Sequence, residues 1–128
     1  MKVMICEGDA ERAKVLNDLL HVYRLKLITI NKNTDLFKQI ENHKPAIIIL
    51  NEKFAPKLGK EMITRLRSNP ISKGIPIIFI SESGQLTDSH YPLSSDSLIE
   101  MMQEPFKIKF LRHCIDRWTT FRSLHVKQ

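Results

Sequence analysis

The stretch that decides the fold runs from Ala46 to Phe54, AIIILNEKF. Five apolar residues, three of them isoleucine, run into an amide, and the chain then turns charged. A β-branched run with no polar alternation has to bury both of its faces. That is the habit of a strand inside a parallel sheet covered by helices on either side. In such sheets the carboxyl ends of the strands carry the chemistry. Asn51 stands at that end, so the question is what an amide does there.

Working outward, the same pattern recurs. KVMIC (2–6), LKLITI (25–30), IPIIFI (75–80) and SLIEMM (97–102) read as four more short apolar strands. Helices fit between them. Asp9 is placed to cap a helix over 10–23, whose apolar side carries Val15, Leu16, Leu19, Leu20 and Tyr23. Thr34 is a cap for a helix with Leu36, Phe37 and Ile40, ended by Pro45. Met62, Ile63 and Leu66 mark a third helix over 59–68, stopped at Asn69-Pro70, and Ile108, Leu111, Ile115 and Trp118 mark a last one over 107–124. The stretch 81–97 is rich in serine and contains Pro92, so a fourth helix there should be short or irregular and the segment mobile. The expectation is α/β: one domain over 1–128, a doubly wound five-stranded parallel sheet with helices on both faces.

Composition narrows the class. The chain has 128 residues, 42% of them hydrophobic and 27% charged, which suits a globular domain with its own core. No apolar run is long enough for a membrane span or a signal peptide, so a cytoplasmic protein is expected. Cys6 and Cys114 read as buried reduced thiols, and neither has a second ligand at metal spacing. The net charge is +6, unevenly spread. Residues 106–128 hold six basic side chains against Asp116 alone. Phe110, Trp118 and Phe121 in the same segment read as core, wholly or in part.

The strand ends supply Glu7, Gly8 and Asp9, then Asn51, then Ser81, then Glu104-Pro105. This ordered set resembles the receiver domain of two-component response regulators, of flavodoxin-like fold. The resemblance rests on an acidic cluster after strand one, PAIIILN (45–51) at strand three, Ser81 after strand four and EPF (104–106) after strand five. It covers essentially the whole chain. It implies a strand-three aspartate that takes phosphate from a histidine kinase, paired acids that hold Mg²⁺, and a lysine and a hydroxyl that meet the phosphoryl oxygens. Position by position the sequence departs from that set. The acceptor is Asn51, the acid pair reads Glu7 and Gly8, the lysine is Glu104, and the aromatic switch position is Met101; Ser81 keeps its type.

An amide is a far weaker nucleophile than a carboxylate. Phosphoryl transfer also needs positive charge where Glu104 brings negative, and Mg²⁺ needs carboxylates where Gly8 has none. The expectation is therefore a degenerate pseudo-receiver. It would have no enzymatic activity, no cofactor and weak or lost Mg²⁺ binding, and would act by protein contact. The alternatives are a phosphorelay receiver modified at an unconventional residue such as Ser81, and nucleic-acid binding through the last helix, which lacks a recognition module. The plainer readings stand beside these: Asn51 as a residue that satisfies nearby backbone groups, Asp9 as a cap, Ser81 as a strand-end hydrogen-bonder, and Glu104 paired with a nearby base such as Lys53 or Lys107, or else solvated. Lys109, Arg112 and Arg117, with the segment 83–97 alongside, are the expected surface for an acidic protein partner. The chain is expected to be a monomer or a weak homodimer.

Overall fold

The computed structural model describes residues 1–21, 25–32, 36–54, 61–81 and 98–125, with only the backbone of 119–125. Five strands form one parallel sheet in the order β2-β1-β3-β4-β5: β1 Lys2–Cys6, β2 Lys26–Ile30, β3 Ile47–Asn51, β4 Ile77–Ser81 and β5 Ile99–Gln103. Four helices are described: α1 Ala10–Leu20, α2 Leu36–His43, α3 Glu61–Ser68 and α4 Ile108–His125. The expected doubly wound sheet is present. The segment where a short or irregular extra helix was expected, and the cap at Thr34, lie outside the described residues.

Strand alternation sorts the core into two layers. Met4, Ile48, Leu50, Ile77 and Phe79 point to one side, where they meet Leu36 and Ile40 of α2 and Met62, Ile63 and Leu66 of α3. Val3, Ile5, Ile47, Ile49, Ile78 and Ile80 point to the other, against Leu16 and Leu20 of α1 and Leu111, Ile115 and Trp118 of α4. All five residues of β3 and of β4 are buried. The unalternating isoleucine runs of the sequence are thus the two central strands with both faces covered. Cys6 and Cys114 fall in opposite layers and are both free. Burial pushes both thiols above their ordinary pKa, which keeps them protonated and inert.

The element ends follow local chemistry. The Asp9 carboxylate accepts from the backbone N–H of Glu11 at 2.9 Å and of Arg12 at 3.4 Å, so α1 starts where a capping side chain was expected. α2 stops at Lys44, whose φ of 49° is left-handed and whose N–H returns to the Ile40 carbonyl at 2.8 Å. Pro45 then leads into β3. β4 and β5 each begin two residues later than the sequence suggests. At these approaches the Arg67 guanidinium of α3 donates to the carbonyls of Ile75 at 2.8 Å and Leu98 at 3.2 Å, and the Leu98 carbonyl also accepts from the Ile77 N–H at 2.9 Å.

Two apolar residues placed on the inner face of α1 by their spacing, and Phe110, which read as core wholly or in part, are exposed. Val15 is 55% exposed, Leu19 43% and Phe110 54%. On α1 a narrow stripe, Ala13, Leu16 and Leu20, suffices to cover the sheet. Helical spacing marks a face but does not say how much of it the neighbouring layer can reach.

Candidate functional site

The site lies at the carboxyl ends of β1, β3, β4 and β5, and the ladder sets its spacing. Asn51 pairs with Ile80 and Ser81 with Gln103. Beyond the last ladder pair, the Glu104 N–H donates to the Ser81 carbonyl at 2.8 Å, and the Glu7 N–H donates to the Ile30 carbonyl at 3.1 Å. Glu7, Asn51, Ser81 and Glu104 are thereby brought to one edge by backbone pairing, as the sequence reading required.

The side chains show what each position does. Asn51 is 4% exposed, and its Oδ1 accepts from the Lys53 N–H at 2.8 Å, which closes the 3₁₀ turn Glu52–Phe54. That contact suits the plainer reading of the amide: it satisfies backbone just past the strand. The Ser81 hydroxyl is fully buried and donates to Glu52 Oε1 at 3.2 Å. Glu7 is 3% exposed. One of its oxygens accepts from the Asp9 N–H at 3.2 Å and the other from Arg12 Nε at 3.4 Å. Asp9 is exposed and serves as the cap of α1. Met101 lies mid-strand in β5, half-buried against the α2–α3 layer and paired with Phe79.

Arg12 is the residue that sequence reasoning missed. Its Nη2 donates to Glu104 Oε2 while its Nε donates to Glu7. One guanidinium on α1 therefore joins the acids of strands one and five. Glu104 was expected to pair with Lys53 or Lys107; its ion pair is with Arg12, 92 residues away in sequence. Arg12 sits three residues past the cap, in the first turn of α1, but nothing in its local sequence names a partner 92 residues away. Desolvation pulls the Arg12 pKa down, but the hydrogen bond and charge of Glu104, and then those of Glu7, outweigh it and hold the pKa above its ordinary value. The pair leaves one atom unsatisfied: Glu104 Oε1 is buried without a hydrogen-bond partner among the described residues.

The residues do not fit a divalent cation of the kind the fold commonly holds. A hard cation needs several free carboxylate oxygens. Both oxygens of Glu7 are taken by N–H donors, Gly8 offers no side chain, and position 51 is an amide. No group of three acidic, histidine or cysteine side chains comes together as a metal site among the described residues.

Beside this cluster a groove of about 450 Å³ runs between α1 and the start of α4, with Glu104 and Arg12 at one end and Val15, Leu19 and Phe106 along it. On α4, Arg117 is ion-paired with Glu100 of β5 and lies over the Trp118 ring, Arg112 lies 3.9 Å from Asp116, and Lys109 lies over the Phe110 ring. The three cations expected to form a docking surface are thus spread around the helix, with Arg117 turned toward β5 and Arg112 toward Asp116.

Comparison with known proteins agrees with the fold. The chain is similar to the receiver-modulated diguanylate cyclase structure from Pelobacter carbinolicus (18% identity, 97% of this chain and 96% of that one, TM-score 0.78). It is similar to the N-terminal domain of a response regulator/sensory box/GGDEF protein from Carboxydothermus hydrogenoformans (13%, 99% and 100%, TM-score 0.80). A CheY-like receiver domain protein from Methanospirillum hungatei gives 17% identity over 96% and 94%, with a TM-score of 0.74. The chain has the fold of response regulator receiver domains, and at these identities the likeness is one of fold. No family model matches the sequence. A curated relative, an uncharacterized 76.5 kDa protein from Thiocystis violacea, is 24% identical over 85 residues, and the match spans 12% of that protein's length. No described helix is long and apolar enough to cross a membrane.

Proposed function

We propose that the chain is a pseudo-receiver: a signalling module with the receiver architecture that works by protein contact, in the cytoplasm, without aspartyl phosphorylation. One observation carries the reading. Arg12 joins Glu7 and Glu104 across the strand ends, so the acidic pocket has its counter-charge built in. In an active receiver that charge comes from outside, as a divalent cation. Here the nucleophile position is an amide engaged with backbone, and the lysine position is a carboxylate engaged with Arg12. Nucleophile, metal pair and cation are altered together, and each change opposes phosphoryl transfer on its own.

Output then comes from a standing surface, because no phosphate-driven shift between two states is available. The basic side chains of α4, Lys109, Arg112 and Arg117, mark that surface, and an acidic protein is its partner. Association with it should be salt-sensitive. The test of the inert pocket is intact-mass spectrometry after incubation with Mg²⁺ and acetyl phosphate. The expected result is an unchanged mass. A stoichiometric gain of one phosphoryl group would overturn the reading, and its location by peptide mapping would say whether Ser81 had taken the role.

A further inference from the structure

Of the large apolar side chains exposed among the described residues, Val15, Leu19 and Phe110 belong to two surfaces of opposite charge. Val15 and Leu19 line the groove beside α1, whose polar end holds three carboxylates, Glu7, Glu11 and Glu104, against the single guanidinium of Arg12. Phe110 stands on the flank of α4 that faces β5, beside exposed Lys107, Lys109 and Arg117 and with Glu100 nearby, and Lys109 Nζ is 5.8 Å from its ring centroid. One surface is apolar and acidic and the other is apolar and basic, on a chain whose net charge is +6.

The two cannot meet within one molecule. Ile108 of α4 lines the groove, and Phe110 follows it by two residues, about 200° further round the helix. The ridge therefore faces away from its own groove. We propose that the chain associates with itself head to tail, the α4 ridge around Lys109 and Phe110 of one copy seating in the α1 groove of the next. This rests on the reading of α4 as a docking surface and names its acidic partner as a second copy. The contact is heterologous, so it propagates into chains or rings rather than closing as a two-fold dimer. Its driving force combines burial of Val15, Leu19 and Phe110 with attraction between Glu11 and the α4 lysines, so salt weakens it.

The test is sedimentation velocity over rising protein concentration, with two exposed-site variants. Leu19→Asp spoils the groove and keeps the ridge; Phe110→Asp spoils the ridge and keeps the groove. Wild type should shift beyond dimer as concentration rises and shift less at high salt. Each variant alone should stay monomeric with unchanged circular dichroism. Their equimolar mixture should form a 1:1 dimer and nothing larger, because one intact groove and one intact ridge remain. Exchanging Glu11→Lys with Lys109→Glu in one chain should restore association that either change alone weakens. A wild type that stays monomeric throughout, or a mixture that stays monomeric, would overturn the proposal. If α4 charge reversal still slowed capture of a different acidic protein while wild type stayed monomeric, self-association would fall and the wider reading of α4 would stand.

Discussion

Two arginine–glutamate pairs reach the last strand of the sheet from different helices. Arg12 of α1 meets Glu104 just past the end of β5, and Arg117 of α4 meets Glu100 within it. The chemistry is the same and the settings differ. In the first pair the side chains are 37% and 20% exposed, and the arginine also holds Glu7, which is 4% exposed. In the second they are 50% and 32% exposed, and the arginine lies over an aromatic ring. At an effective dielectric of about 20, an ion pair near contact is worth about 4 kcal/mol before desolvation and screening are charged against it. Exposure removes most of that from the Arg117 pair. The Arg12 pair is half-shielded, and its loss strands a buried carboxylate. Position at the strand ends, rather than the presence of a salt bridge, makes Arg12 part of the site.

The largest expected effect comes from taking Arg12 away. Arg12→Ala should destabilise the fold by about 2 kcal/mol at neutral pH, since Glu7 stays buried and loses its cation. Arg12→Lys should recover only part of this, because a lysine cannot span two carboxylates in a fixed fork. Denaturant midpoints at constant m-value would measure both. An Arg12→Ala cost no larger than that of a surface pair would erase the contrast between the two bridges.

Asn51→Asp comes next. It places a carboxylate at a buried position beside Glu7, with the Arg12 guanidinium already shared by Glu7 and Glu104, and should cost about 1 kcal/mol. The Lys53 N–H contact survives, because aspartate accepts as asparagine does. The variant should remain a poor phosphoacceptor when followed by intact mass. Acceptance at an ordinary receiver rate would show that Gly8 and Glu104 are not the obstacles they are held to be here.

Much of this was legible in the sequence. Buried isoleucine runs, capping at Asp9 and the order of residues at the strand ends were enough for the sheet and for placing Glu7, Asn51, Ser81 and Glu104 at one edge. Arg12 was not legible as their partner, because its contact with Glu104 spans nearly the whole chain and depends on how α1 lies across the strand ends. The exposure of Val15, Leu19 and Phe110 was hidden for a related reason. Periodicity reports which residues share a helix face, and only the packed neighbour decides where that face stops.

The smallest effect should be Arg117→Ala, a loss of about 0.5 kcal/mol or less that fades at high salt. A double-mutant cycle of Arg117 with Glu100, set beside one of Arg12 with Glu104, would sharpen the comparison by giving two coupling energies on one scale.

If the Arg12 guanidinium takes the place that a divalent cation holds in a phosphorylated receiver, wild type has no room for such an ion, and paramagnetic line broadening by Mn²⁺ reads this out. Gly8→Asp with Arg12→Ala supplies the positive control. A Cβ at Gly8 meets nothing nearer than the Asn31 carbonyl at 3.9 Å, so the added acid has room. The double variant should show saturable broadening at the amides of Glu7, Asn51 and Ser81. Wild type should show none there at the same Mn²⁺ concentrations. Saturable broadening of those amides in wild type would contradict the account.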